Sequence, residues 1–150
     1  MNYFYLGLLD LYLPAVAAAI HLGQLEGKKH PGQKELDAIK YFRRGSHDED
    51  GRIFFVGTDS AGDNVFILSV KVQPEVVIRA VESMLGLYGL PLREIKVVPC
   101  LLENPQLAGW GKLLSRLGLG RQERGLARRV VRSHFGGLLQ SVQRSKAAKR

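Results

Sequence analysis

The chain contains a single cysteine, Cys100. No internal disulfide can form and no cysteine-based metal cluster is available. Cysteine usage of this kind suits a reducing compartment, and a cytoplasmic location is expected. Histidine is also scarce. His21, His30, His47 and His134 share no ligand spacing such as HxxxH, so neither a metal nor another cofactor is expected. The signature GxxxxGK[ST] is absent, GxGxxG is absent from the first loop, and there is no GxSxG elbow. Long apolar runs are missing too. The first segment, MNYFYLGLLDLYLPAVAAAIHLGQL, is broken by Asp10 and Pro14, and its pieces are too short to cross a bilayer as one helix. It lacks the basic leader of a signal peptide, so it reads as core.

Acidic residues are lacking in one region only. From Lys112 onward there are eleven Lys and Arg against one acid, Glu123, a net +10. The preceding 111 residues hold eleven basic and thirteen acidic residues, a net −2, which accounts for the chain total of +8. Excess positive charge confined to one end points to a polyanionic partner, with nucleic acid first. Hydrophobic residues form 45% of the 150 residues, enough for one domain with a real core and too many for global disorder.

The chain is organised around its start. Asn2 to Leu8 is uncharged and rich in aromatic and branched residues, as in a buried strand. Pro14 suits the first turn of a helix. The run Ala15-Val16-Ala17-Ala18-Ala19-Ile20 favours a helix packed closely on a sheet. Strand, loop and helix in this order open many nucleotide-binding α/β domains. Gln33 to Arg44 reads as a short amphipathic helix after the LEGKKHPG loop, and GSHDEDG at 45–51 as an acidic loop. RIFFVGT at 52–58 and NVFILSVKV at 64–72 read as strands, and their short polar link predicts an antiparallel hairpin. Consecutive apolar residues in both strands predict a sheet covered on both faces.

Pro74 and Glu75 open the next helix, with Val77, Ile78, Val81, Leu85 and Tyr88 on its core side and Gly89 as its C-cap. Glu94 to Leu101 is a further strand. Asn104 caps a helix from Pro105 to about Leu117. Gly125 and the Gly136-Gly137 pair argue against one long final helix. The preferred reading is a short strand at Leu126 to Val131, then a helix from His134 to about Arg144 capped by Ser133. The expected fold is a single three-layer α/β domain over 1–145, with a central mixed sheet of four or five strands flanked by helices and including one β-hairpin. Residues 146–150 form a basic tail.

AAAIHLG at 17–23, GRIFFVGTDSAGDNVF at 51–66 and GKLLSRLGLGR at 111–121 give the chain a resemblance to domain-of-unknown-function family 3189, found mostly in spore-forming Firmicutes. The resemblance spans most of the chain and implies no known chemistry. It implies a first loop of the type Gly-Gly-x-His-Ser-Ser, suited to an anion through its amides and hydroxyls. The matching stretch here is Leu9-Asp10-Leu11-Tyr12-Leu13-Pro14, which retains none of those residues. The chain therefore resembles a divergent member of that family.

The candidate ligand-binding residues are Asp10, Tyr12, His21 and Asp59. Asp10 and Asp59 each follow a strand and are candidates for a pair of acids. Candidate anion or nucleic-acid contacts are Arg121, Arg124, Arg128, Arg129 and Arg132, with Gly118-Leu119-Gly120 as a further anion loop. No catalytic residue is assigned. Cys100 sits among Val97, Val98, Pro99 and Leu101 and reads as a packed, inert thiol. His21 reads as a hydrogen-bonded structural histidine. The expected function is a non-catalytic binding or regulatory module with a degenerate first loop, in which nucleotide binding is disfavoured. Two alternatives follow from the same residues. One is an enzyme acting on a nucleotide or phosphorylated small molecule, with Asp10, Tyr12, Asp59 and the segment 100–104 converging. The other is an interaction module that pairs through an exposed Leu9 to Leu13 loop.

Overall fold

The computed structural model describes residues 1–25, 30–43, 48–89, 91–101 and 120–148, with the side chains of residues 120, 121 and 123 outside that description. The predicted helix at 105–117, the Gly118-Leu119-Gly120 loop and His47 therefore lie outside or at the margin of the described residues.

Among the described residues the sheet has four strands, in the order β2-β3-β1-β4. These are β1 (Asn2–Leu8), β2 (Phe54–Thr58), β3 (Asn64–Val70) and β4 (Ile95–Cys100). Strand β1 is central and parallel to both β3 and β4. Strand β2 is antiparallel to β3, completing the predicted hairpin with a register irregularity at Val56. The mixed sheet and its flanking helices make a single α/β domain. Pro99 lies in β4, an edge strand, where a missing ladder donor is tolerated.

The strand period of two sorts the side chains between the faces. Tyr3 and Tyr5 of β1, Val65 and Ile67 of β3, and Val98 and Cys100 of β4 line one face and are buried. Helix α1 (Tyr12–His21) and the long C-terminal helix α4 (Gly120–Ala147) cover that face and form the main core with it. Ala15, Ala17, Ala18 and Ala19 are all buried, and such small side chains let α1 lie close to the strands. Gly7 is required by the same approach. A Cβ there would collide with the backbone carbonyl of Asp10 and stand 2.6 Å from Pro14 Cγ. The helix begins at Tyr12, so Pro14 is its third residue rather than its first.

Among the described residues, the other face is covered less completely than the first. Helix α3 (Pro74–Leu87) rests Val77 against Leu6, Leu68 and Val70. Its core-side residues Ile78, Val81 and Leu85 are only half-buried, and Tyr88 is exposed. Gly89 follows with φ of 64°, a conformation glycine adopts without a Cβ penalty.

Two other elements differ from expectation. Helix α2 spans only Gln33–Asp37. The Glu35 carboxylate accepts the Gly32 amide at 2.7 Å and starts it, but Tyr41 takes a left-handed φ of 64° and the chain turns. Leu36, Ile39 and Phe42 still reach the main core. The second difference is larger. Leu126 to Val131 is helical, not a strand, and α4 runs unbroken through Gly125, Ser133, Gly136 and Gly137. Val131, Phe135, Leu138, Val142 and Ser145 are buried along one stripe. Their spacing keeps one side of the helix on the core, and that packing outweighs the low helix propensity of glycine. Ser133 is not a cap, since its hydroxyl donates to the Val130 carbonyl at 2.8 Å.

Candidate functional site

The candidate ligand residues separate into two groups at opposite edges of the sheet. Asp10 and Tyr12 follow the carboxyl end of β1. Asp59 follows β2, which runs the other way, so it lies where the parallel strands begin. His21 ends α1 beside it. Asp10 and Asp59 therefore do not form a pair of acids.

At the carboxyl edge the first loop is drawn inward. Leu9 has a φ of 67°, and its amide donates to the Val70 carbonyl at 2.9 Å. The Leu11 amide donates to the Arg43 carbonyl at 3.2 Å. The Tyr12 amide donates to the Asp10 carboxylate at 2.9 Å, so Asp10 serves the start of α1 as a capping side chain does. Leu11, Tyr12 and Leu13 are buried, with Tyr12 edge-on to Phe42. An interaction surface made of exposed Leu9 to Leu13 leucines is thereby ruled out. Cys100, at the end of β4, is buried, and burial pushes its thiol pKa far up, with the Asp10 charge adding to the effect.

At the amino edge several polar groups meet in the interior. The hairpin turn aims Asp59. Its Oδ1 accepts the amides of Ala61 and Asp63, both at 2.9 Å, an arrangement that Asp favours in turns. Its Oδ2 faces His21 Nε2 at 3.2 Å and Lys146 Nζ at 3.4 Å. An ionised carboxylate only accepts, so Nε2 carries the proton and Nδ1 is left to accept the Tyr5 hydroxyl at 2.7 Å. Lys146 also donates to the His21 carbonyl at 3.1 Å, closing the end of α1 with a cation. Lys96 donates to the Ser145 carbonyl at 2.9 Å and fastens the same turn of α4. Beside the cluster, the Met1 ammonium donates to Asp63 at 3.0 Å.

The titration behaviour follows from this geometry. Burial lowers the His21 pKa, and the Lys146 charge lowers it further, against the opposing pull of Asp59. Burial by itself would raise Asp59. The amides of Asp63 and Ala61, the imidazole and Lys146 outweigh it and hold the carboxylate at about 2. Burial raises the Tyr5 pKa well above its ordinary value. The cluster thus carries a neutral imidazole, one carboxylate and one ammonium.

His21 and Asp59 were legible in the sequence as polar residues near element ends. Tyr5 was hidden in an apolar strand, and Lys146 lay in a presumed tail. Nothing local marks either one, since Lys146 reaches His21 across 125 positions.

The basic residues also divide. Arg128 grips Asp37 of α2 through Nε at 2.9 Å and Nη2 at 2.6 Å. Arg124, Arg129 and Arg132 are exposed, and no ion pair to them occurs among the described residues. The Arg121 side chain lies outside the described residues. An open groove of about 220 Å³ lies between α3 and β4, lined by Val81, Leu85, Leu92 and Val97 among others, and none of the candidate site residues lines it. Among the described residues no three His, Cys, Asp or Glu side chains cluster as metal ligands. No helix among them is long and apolar enough to cross a membrane.

The family described as "Protein of unknown function (DUF3189)" matches residues 2–147, and the chain belongs to it. No curated protein matches, and no solved structure matches.

Proposed function

We propose that this DUF3189 member is a non-catalytic binding module that holds a polyanion, nucleic acid first, on the outward side of α4. The observation that carries the reading is the division of that helix. Val131, Phe135, Leu138 and Val142 enter the core, whereas Arg129 and Arg132 lie on the outward side; Arg124 is exposed as well, two turns before the buried stripe begins. Two guanidinium groups held side by side on a helix suit phosphate oxygens along a backbone. They read no base edges, so the contact is salt-dependent and tolerant of sequence.

The first loop supports the same reading. Its Leu9, Leu11 and Tyr12 amides are donated to oxygens of this chain. Pro14 has no amide to give, and the Asp10 carboxylate opposes an anion. A phosphate cradle needs those donors turned outward. The enzyme alternative needs Asp10, Tyr12 and Asp59 in one place, and the two edges keep them apart.

The test is titration of single-stranded RNA, duplex DNA and anionic vesicles at several salt concentrations. Nucleic-acid binding that weakens with salt is expected. Arg129→Glu/Arg132→Glu should abolish it at moderate salt, and Arg129→Ala/Arg132→Ala should reduce the log–log salt slope by about 2. Absence of binding at low salt, or an unchanged slope, contradicts the reading. Thermal stabilisation by any member of a nucleotide panel would instead favour the enzyme alternative, because a ligand of the folded state raises its stability.

A further inference from the structure

The amino-edge cluster joins four elements through one histidine, and its charge balance is set for a neutral imidazole. His21 has no exposed side-chain surface, and Asp59 is 3% exposed. Asp59 Oδ2 already serves two cationic or potentially cationic groups, His21 Nε2 and Lys146 Nζ. From β1, Tyr5 donates to Nδ1, and the Tyr3 ring stands edge-on to the imidazole at 4.5 Å. From the hairpin come Asp59 and Asp63, and Asp63 is engaged by the Met1 ammonium. From α4 come Lys146 and Ser145, and from β4 come Lys96, bonded to the Ser145 carbonyl, and Cys100, buried near Tyr5. Among the described residues Asp59 meets Lys146 and Asp63 meets Met1, so a further positive charge there has no carboxylate of its own.

We propose that His21 is a protonation latch for the C-terminal turn of α4: a proton on its Nδ1 releases Lys146, and the turn carrying it, from the β2–β3 hairpin. The proton turns Nδ1 from acceptor to donor, so the Tyr5 hydroxyl must reverse. It also places two cations on one carboxylate oxygen in a site with little water to screen them. One of the two must leave. His21 is enclosed, whereas the Lys146 side chain is 43% exposed and has open water beside it. When Lys146 leaves, the last turn loses its bonds to the His21 carbonyl and to Asp59. The buried residues Val131, Phe135 and Leu138 lie earlier in the helix and keep the rest of α4 in place.

The direction agrees with the depressed pKa of the imidazole, which takes up its proton more readily once the turn has opened. Opening therefore becomes more favourable as pH falls.

Amide hydrogen exchange on the full chain, corrected for intrinsic rates, tests the latch. Protection in residues 143–148 should be lower than in β3 at every pH, and should fall severalfold between pH 7.5 and pH 5.5. His21→Gln should remove that fall, and His134→Gln should keep it. Lys146→Met should lower protection of the turn at pH 7.5 and flatten its pH dependence, and it serves if His21→Gln does not fold. Three results would overturn the latch. They are a pH-independent turn in the unaltered chain, wild-type behaviour in Lys146→Met, or protection in 143–148 equal to that of β3, since opening would then be global.

Discussion

Asp59 holds two side chains with one oxygen and two amides with the other, whereas the bond of Asp10 among the described residues is to the Tyr12 amide at the start of a helix. Their substitution costs should differ accordingly. Asp59→Ala leaves the enclosed His21 Nε2–H and the amides of Ala61 and Asp63 without the carboxylate they meet, and should destabilise the chain by about 3 kcal/mol. Asp10→Ala removes a cap-like bond and should cost about 1 kcal/mol. Urea unfolding at pH 7 measures both, and equal losses would mean that the amino-edge cluster contributes no more than a helix cap. The sequence placed both residues after strands but could not orient them. β2 runs antiparallel to its neighbour, so "after a strand" means opposite edges for the two. Leu9 carries a similar silence. Its φ of 67° suits glycine, and nothing in the letters LLDLYLP announces it.

Helix α4 shows how an element can run against its local preferences. A Cβ at Gly125, Gly136 or Gly137 would meet nothing within 4 Å. Space therefore does not explain these glycines, and we have no physical account of their presence. Each should be replaceable. Gly136→Ala and Gly137→Ala should each raise stability by about 0.5–1 kcal/mol, because alanine loses less backbone freedom in a helix. Thermal unfolding checks this, and a lowered melting temperature would mean that the helix is bent or contacted there. The same glycines explain why the sequence suggested a break. Local propensity counts two adjacent glycines heavily, whereas the buried stripe from Val131 to Ser145 is a long-range fact about what lies opposite. The strands and the hairpin were readable because their apolar runs and turn residues are local. Helix α2 is shorter than its apolar spacing suggests because Ile39 and Phe42 are buried without being helical, in a turn that folds back onto the core.

For the molecule as a whole, the buried ionisable groups set the pH range of stability. The folded pKa of His21 lies below 6.5, so its contribution is complete above that value. The contribution is lost as pH falls below 6.5, because the unfolded chain takes up the proton first. Asp59 is lowered from 3.8 to about 2, so its contribution is present above 3.8 and is lost as pH falls toward 2. Cys100 has the opposite sign. Its folded pKa lies above 9.0, so its contribution is intact below 9.0 and declines as the unfolded thiol ionises at higher pH. Stability should therefore form a plateau between about pH 6.5 and pH 9, falling by up to about 1.4 kcal/mol per pH unit for each proton exchanged beyond either end. His21→Gln should extend the acid side of the plateau to about pH 4 and leave the alkaline side unchanged. Cys100→Ala should move only the alkaline side. Denaturant unfolding from pH 4.5 to pH 9.5 on the three proteins separates the two ends. An acid limb unchanged by His21→Gln would place the controlling proton on a group other than the one that joins β1, α1, the hairpin and α4.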